Sequence, residues 1–420
     1  MEEGTVPTSR FGVLLGNRNF RAVYLAGVTS QSGSTIAGVA IIWIVFATTR
    51  SALDIAYVGI AELAATIAFT LPSGVWVDRY DRTRLMVGAD LTRAVAVGSL
   101  ALVFLLYGFR FPLVLVVSFA VAAASILFQP AEQTLFPMIV APGALADANG
   151  LSRSSRSMVQ LVASSVGGGL VVLVGAALCL FYNTLTFLIS ALLLYSVYVA
   201  LRAADRGRAP HPAREGRMLH EIREGLHWLI HKAPGLWELS ISALFLNFFS
   251  TIFATFIVVY VVEVLHGTPL TYGLFLATMT GGMAVGSLIV GRTRATRWAG
   301  KVWVLSYGVG AGLALLTMAL VPGLLISFVL IFVYNVLLGF SGNAWLTAAQ
   351  TVVPSEVQGR YFALDGILSW GILPIAQITG GLLIEARGIG FAVEVAGIGL
   401  LGSGFLSMLG RNLWKFGTPA

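Results

Sequence analysis

Apolar residues run along this chain in long blocks that charge rarely interrupts, and the spacing of the interruptions measures the elements. No Asp, Glu, Lys or Arg occurs in the 45 positions between Arg156 and Arg202, or in the 54 between Lys301 and Glu356. As single helices these blocks would be roughly 67 and 81 Å long at ~1.5 Å per residue. A hydrocarbon layer ~30 Å thick takes only ~20 residues per crossing, so each block turns back once. Gly175 in the first and Pro322-Gly323 in the second supply the turns. The other blocks read as single crossings. The pattern predicts helices over 20–47, 54–77, 84–107, 111–135, 150–174, 177–201, 235–265, 270–291, 302–321, 323–350, 357–385 and 388–410. That is an all-α membrane protein of about twelve transmembrane helices. Barrel strands would need ~10-residue alternation, whereas these runs are apolar on every face.

One polar stretch, residues 202–232, is rich in Pro, Gly and charge and reads as a cytoplasmic linker ending in an amphipathic helix from about Leu219. It separates a six-helix bundle over 1–201 from a second over 235–420, with 202–234 as the linker segment. The two sides are alike at a displacement of about 213 residues. Gly167-Gly168 match Gly380-Gly381, Pro142 matches Pro354, and Gly74 and Arg79 match Gly286 and Arg292. Six-plus-six repeats are typical of transporters whose halves move about a site between them; a structural relic is the alternative.

Composition narrows the class. Apolar residues make up 57% and charged ones 11%, against about 25% charged in soluble proteins. Twenty-two of the 26 Lys and Arg fall in the tails, alternate loops or adjoining helix ends. Arg50, Arg110 and Arg387 fall in the intervening loops, and Arg93 lies within a helix. Basic residues stay in the cytoplasm, so both termini are expected there, in a multi-pass protein of the cell membrane. The net charge of +7 then reports topology, and its spread over every second loop gives no footprint for nucleic acid. The N-terminus lacks the basic start of a cleavable signal. Cys179 is the single cysteine, which excludes an internal disulfide and suggests packing.

Charge concentrates in "GVWVDRYDRTR", residues 74 to 84. This resembles the loop 2–3 signature of the major facilitator superfamily, Gly-x-x-x-Asp-Arg-x-Gly-Arg-Arg, with Gly74, Asp78, Arg79 and Arg82 in register. Asp81 stands where the signature has its second Gly and Thr83 where it has its last Arg, with Arg84 one place on. Together with "GADLTRA", "NRNFRAVYLAG", "EIREGLHWLIHKAPGL" and "VPSEVQGRYFAL", it is similar to the drug:proton antiporter branch, with its macrolide-type and enterobactin-type exporters. The branch's Gly-Pro-x-x-Gly-Gly motif has Ser164 in place of proline, and no Arg occupies the fourth helix.

The resemblance implies a conformational latch at the cytoplasmic rim, in which Asp78 meets the start of the eleventh helix near Ser355 and Glu356. Gly74, Arg79, Arg82, Arg84 and the pair Asp90–Arg93, three apart on one face, belong to the same cluster. A topology anchor is the competing reading of this turn. The resemblance also implies a central cavity lined by the first, fourth, seventh and tenth helices. No Asp, Glu, Lys or Arg falls in 22–49, 111–131, 239–262 or 323–350, which favours neutral, lipophilic or weakly cationic cargo over anions. Polar candidates there are Gln31, Ser34, Asn247, Asn335 and Asn343, with Phe248, Phe249 and Trp345 as apolar surface; interhelical packing is the alternative for each. Glu62, then Asp365 and Glu394, are the intramembrane acids that can carry a proton, unless they are structural carboxyls. Glu132 is expected at the cytoplasmic boundary.

His227 and His231 with Glu224 form a weak metal candidate that reads better as a solvated helix face. No cofactor and no metal are expected; no P-loop occurs, which disfavours ATP-driven transport, and the Asp-x-x-Asp motif of Asp78 and Asp81 has no second acidic cluster, which disfavours a Mg²⁺-diphosphate enzyme. The combined expectation is a monomeric secondary transporter in membrane lipid, exchanging protons for a drug-like or siderophore-like small molecule. Uptake or lipid transport by the same fold, or a non-transport receptor, are the rivals.

Overall fold

The computed structural model describes residues 16–204 and 232–417, together with Gly12, Leu229 and Ile230. The expected linker helix and the His227–His231 pair lie outside the described residues. Among the described residues every regular element is helical.

The first elements are α1 (Arg18–Thr49), α2 (Ala52–Arg79) and α3 (Arg82–Tyr107). The fourth crossing is split into α4 (Phe111–Ile126) and α5 (Phe128–Ile139). α6 (Leu145–Ala204) holds the fifth and sixth crossings. α7 (Pro234–Ala254) and α8 (Ile257–Glu263) form the seventh, and α9 (Pro269–Val290) the eighth. α10 (Ala299–Val302) widens into a π-helical stretch, Trp303–Gly310, and continues as α11 (Ala311–Leu320). α12 (Leu324–Val352), α13 (Ser355–Trp370), α14 (Leu373–Met408) and the short α15 (Arg411–Lys415) complete the chain.

Ten helical stretches are long and apolar enough to cross a membrane. Two of them, of 56 and 45 residues, are long enough to cross twice, so the ten supply twelve crossings. Their turning points are Gly175 (φ 81°, ψ 164°) and Gly388 (φ 82°, ψ 168°). Glycine alone visits that backbone region at no steric cost. The two turns share one geometry at the displacement of the sequence repeat.

Several boundaries differ from the sequence pattern, with identifiable causes. The fourth crossing breaks at Leu127 and the eleventh at Gly371 and Ile372. Pro130 and Pro374 follow these breaks by three residues or fewer; each proline lacks an N–H and its ring crowds the carbonyl four residues earlier. The seventh crossing also breaks, at Thr255 and Phe256, without a proline.

Contacts divide the chain into two compact units, Met1–Thr48 with Ile60–Arg214, and Thr49–Gly59 with Glu215–Ala420. In the first, a buried core gathers Phe20 and Val23 of α1, Met86 of α3, Phe136 of α5 and Leu194 of α6. Asn17 caps α1 by accepting the Phe20 N–H at 2.9 Å, and donates to the Ile139 carbonyl at the end of α5. Cys179 packs in a smaller cluster with Ile36 and Ala40. Gly167 lies against the Ile36 backbone, and Ser164 returns its hydroxyl to the Gln160 carbonyl at 2.7 Å.

In the second unit small residues let helices touch backbone to backbone. Gly286 of α9 faces the Val336 carbonyl and Phe340 N of α12, Gly339 faces Met283, and Gly308 meets Gly404. Such contacts carry much of helix association in lipid, where hydrocarbon on both sides gives no hydrophobic drive. Gly380 lies against Phe256 and Ile252, and Gly381 against Leu53. The N-terminus of α2 is closed by Glu385, whose Oε1 accepts Ser51 Oγ at 2.8 Å and Leu53 N at 3.4 Å.

Candidate functional site

A polar network inside the second unit joins three crossings, the seventh, ninth and eleventh. Asn247 of α7 is held on both sides: its Oδ1 accepts the Tyr307 hydroxyl at 2.8 Å, and its Nδ2 donates to the Ser369 carbonyl at 2.9 Å. Asp365 Oδ1 accepts Ser240 Oγ at 2.7 Å and Ser369 Oγ at 3.3 Å. Beside these groups lies a cavity of about 160 Å³. Its aromatic walls are Trp303, Tyr307, Trp345 and Trp370, and Asn247, Asp365 and Ser369 contribute polar surface.

The walls stand at angles. Trp303 and Tyr307 have centroids 5.2 Å apart at 80°, and Trp303 and Trp345 6.1 Å at 54°. Trp303 is further fixed by donating from Nε1 to Ser242 Oγ at 3.2 Å. Trp303 and Tyr307 both belong to the π-helical stretch, a local widening that recurs at functional sites. Trp345 Nε1 and Tyr361 Oη are also buried in this neighbourhood, where they interact with one another.

Of the eight cavity candidates, Asn247 and Trp345 line this space, joined by Asp365 from the acid candidates. Asn335 is buried and returns its amide to the Ile331 carbonyl at 2.9 Å beside Gly282, a packing role. Asn343 donates to Ser287 Oγ at 2.7 Å and joins α12 to α9. Phe249 fits against Gly399, and Phe248 stacks edge-on to it at 5.1 Å. Gln31 bonds Thr35 on its own helix at 3.3 Å, and Ser34 is half-buried on α1. Sequence reasoning missed Trp303, Tyr307, Ser369 and Trp370, because the ninth and eleventh crossings are not among the four that the resemblance put at the cavity. A tryptophan and a tyrosine four apart in "WVLSYGVG" were the available signal.

The acids of the membrane interior divide by environment. Glu62 is exposed on α2, and no hydrogen bond or ion pair reaches its carboxylate among the described residues. Glu394 is half-buried on α14. Asp90 and Arg93 do pair, but deep inside the first unit. Arg93 bonds Asp90 Oδ1, Ser190 Oγ of α6 donates to Asp90 Oδ2 at 2.6 Å, and the guanidinium lies over Phe128 (4.9 Å) and Phe187 (4.5 Å). Glu132, on α5 after the break at Leu127, is buried and pairs with Arg156.

At the charged turn Asp81 is the N-cap of α3, accepting Arg84 N at 2.9 Å and the Thr83 hydroxyl at 2.6 Å. A carboxylate satisfies a free helix N–H where the signature's glycine could not. Arg79 and Arg84 are exposed, and Arg82 donates to Met138 Sδ at 3.1 Å. Gly74, Asp78 and Ser355 lie on helical backbone, and their side chains are outside the description. Asp81→Ala is expected to lower stability by about 1 kcal/mol, read as a shift in thermal melting of the detergent-solubilised protein.

Twelve crossings, uncharged runs and a small aromatic cavity define a polytopic transporter of the all-helical kind. The family model described as "Transmembrane secretion effector" matches residues 10–414, and the chain belongs to that family of the major facilitator superfamily. It is 25% identical over 378 residues to the multidrug efflux pump Tap of Mycobacterium tuberculosis, covering 87% of each chain. It is 23% identical over 378 residues to macrolide efflux protein A of Streptococcus pyogenes, covering 88% of this chain and 90% of that protein. A bacterial homologue of the human lysosomal transporter Spinster shares the fold, with a TM-score of 0.70 at 15% identity over 99% of this chain and 100% of that one.

Proposed function

We propose that this transporter exports neutral, lipophilic or weakly cationic small molecules across the cell membrane in exchange for protons, with both termini in the cytoplasm. The similar pumps, named for multidrug and macrolide efflux, support the direction and the drug-like cargo. One observation carries the coupling. Glu62 lies within an apolar span and has no cationic partner among the described residues. An ionised carboxylate there is costly, whereas a protonated one is cheap, so the group can load and release a proton as its surroundings change.

The test is purified protein in vesicles with an imposed proton gradient. Wild type should concentrate a lipophilic amine dye or a macrolide against its gradient, and collapsing the proton gradient should abolish accumulation. Glu62→Gln should keep substrate exchange between equal pools while losing at least tenfold of the gradient-driven accumulation. A Glu62→Gln protein with unaltered gradient-driven accumulation would remove Glu62 from coupling, and gradient-independent wild-type transport would remove proton exchange itself. The cytoplasmic latch at Asp78 is retained as part of this proposal: Asp78→Asn should slow transport while leaving abundance unchanged, since a topology anchor alone would lose both together.

A further inference from the structure

The geometry points to a cation subsite inside the C-terminal unit, in which Asp365 and the Trp303–Tyr307–Trp345–Trp370 walls receive the trialkylammonium head of an amine. The inference deepens the efflux reading and rests on it only for the claim that the occupant is cargo.

Three observations converge on that head group. The first is charge without an ionic partner. Asp365 is buried at 4% exposure and accepts hydrogen bonds from Ser240 and Ser369, both on Oδ1, with Tyr361 nearby. Among the described residues no Lys, Arg or His pairs with it; the ion pairs there are Asp90–Arg93 and Glu132–Arg156. A carboxylate taken out of water is unfavourable until a cation or hydrogen bonds compensate it.

The second is the wall chemistry. Three indoles and a phenol line the same cavity as the acid. A cation over such rings gains roughly 0.5–2 kcal/mol at each favourable face, and alkylated ammonium ions are the ligands best matched to rings. A Mg²⁺ or Ca²⁺ ion fits poorly, because it needs about six oxygen ligands and the space offers one carboxylate with two hydroxyls already committed to it.

The third is size. About 160 Å³ is below the ~300–1,000 Å³ that holds a whole drug-sized ligand. The space therefore receives a head group and leaves the remainder of the molecule elsewhere. A larger hollow of about 260 Å³ near Trp237 lacks this chemistry, since its acid, Glu238, is saturated by Asn412 and Leu413 at 2.7 to 3.0 Å.

Choline and its neutral isostere 3,3-dimethylbutan-1-ol separate charge from shape. Titrated into the full chain in a neutral maltoside detergent and followed by tryptophan fluorescence, choline should bind at least tenfold more tightly than the alcohol. Asp365→Asn should weaken choline at least tenfold and leave the alcohol unchanged, erasing the preference. Gly342 lines the cavity with open space at its Cβ position, so Gly342→Leu should fill the hollow and weaken both probes without disturbing helix packing. Melting curves of both variants establish that they fold; if Asp365→Asn does not, Gly342→Leu alone decides. Equal affinity for the two probes, or choline binding unmoved by either variant, would overturn the subsite. Selective binding without gradient-driven transport would instead defeat the efflux proposal and leave the subsite standing.

Discussion

Asp90→Ala is expected to destabilise the folded protein by about 3–5 kcal/mol, the usual cost of leaving one partner of a buried ion pair without the other. Arg93 retains 6% exposure and Asp90 none, so water cannot take the place of the lost carboxylate. The two phenyl rings beside the guanidinium, worth roughly 0.5–2 kcal/mol each, are already in place in the wild type and do not substitute for the carboxylate. Ser190 would lose its acceptor at the same time. The expected readout is a large fall in melting temperature and in the yield of monodisperse protein from membranes. Asp90→Leu combined with Arg93→Met removes both charges at nearly constant volume and should recover most of that loss, because an apolar replacement of a buried pair is often neutral or better. A single variant that melts like wild type would show that the pair contributes nothing to stability. The same comparison tests the latch: all the partners found for Asp90 and Arg93 lie within the first unit, on α3, α5 and α6.

Gly286→Leu should have an effect of similar size by a different route. A Cβ at 286 would collide with the Val336 carbonyl and the Phe340 N, which are backbone atoms and cannot rotate away. α9 and α12 would have to separate along a contact that also includes Gly282 against Phe332 and Gly339 against Met283, and the Asn343–Ser287 bond would stretch. Overpacking typically costs ~1–3 kcal/mol and more where the backbone must move. Gly390→Ala is the matched control, since nothing lies within 4 Å of its Cβ position. It should leave stability unchanged or raise it by the ~0.5–1 kcal/mol that helical glycine forgoes. Similar losses in both variants would assign the effect to lost flexibility in place of close packing.

These expectations show what the linear sequence carries. Span number and turning points were legible because charge-free length is a direct measure of membrane crossings, and Gly175 stood where a turn was needed. The Asp90–Arg93 pair was legible because three residues on a helix share a face. Glu132 and Arg156 lie on different helices, and nothing local in the sequence announces their meeting. The cavity was legible only in part. Spans that are apolar all round do not declare which face looks inward, so Asn247 and Asn335 had equal claims until packing placed one beside Tyr307 and the other against Gly282. Asp365 was singled out as an acid within a span, but the rings that line its cavity come from the ninth and eleventh crossings as well as the tenth. Their convergence depends on a local widening of the ninth helix that no proline, repeat or hydropathy change marks.

That widening makes residues 303–310 sensitive to length as well as to identity. Removing one residue there would let ordinary helical winding resume by taking up the surplus residue that the widening holds, so α11 could keep its seat on Gly397 and Leu401 while the spacing of Trp303 and Tyr307 changed. Substitutions in this segment can be absorbed one ring at a time, whereas a one-codon deletion would move both rings at once and spare the helix beyond them.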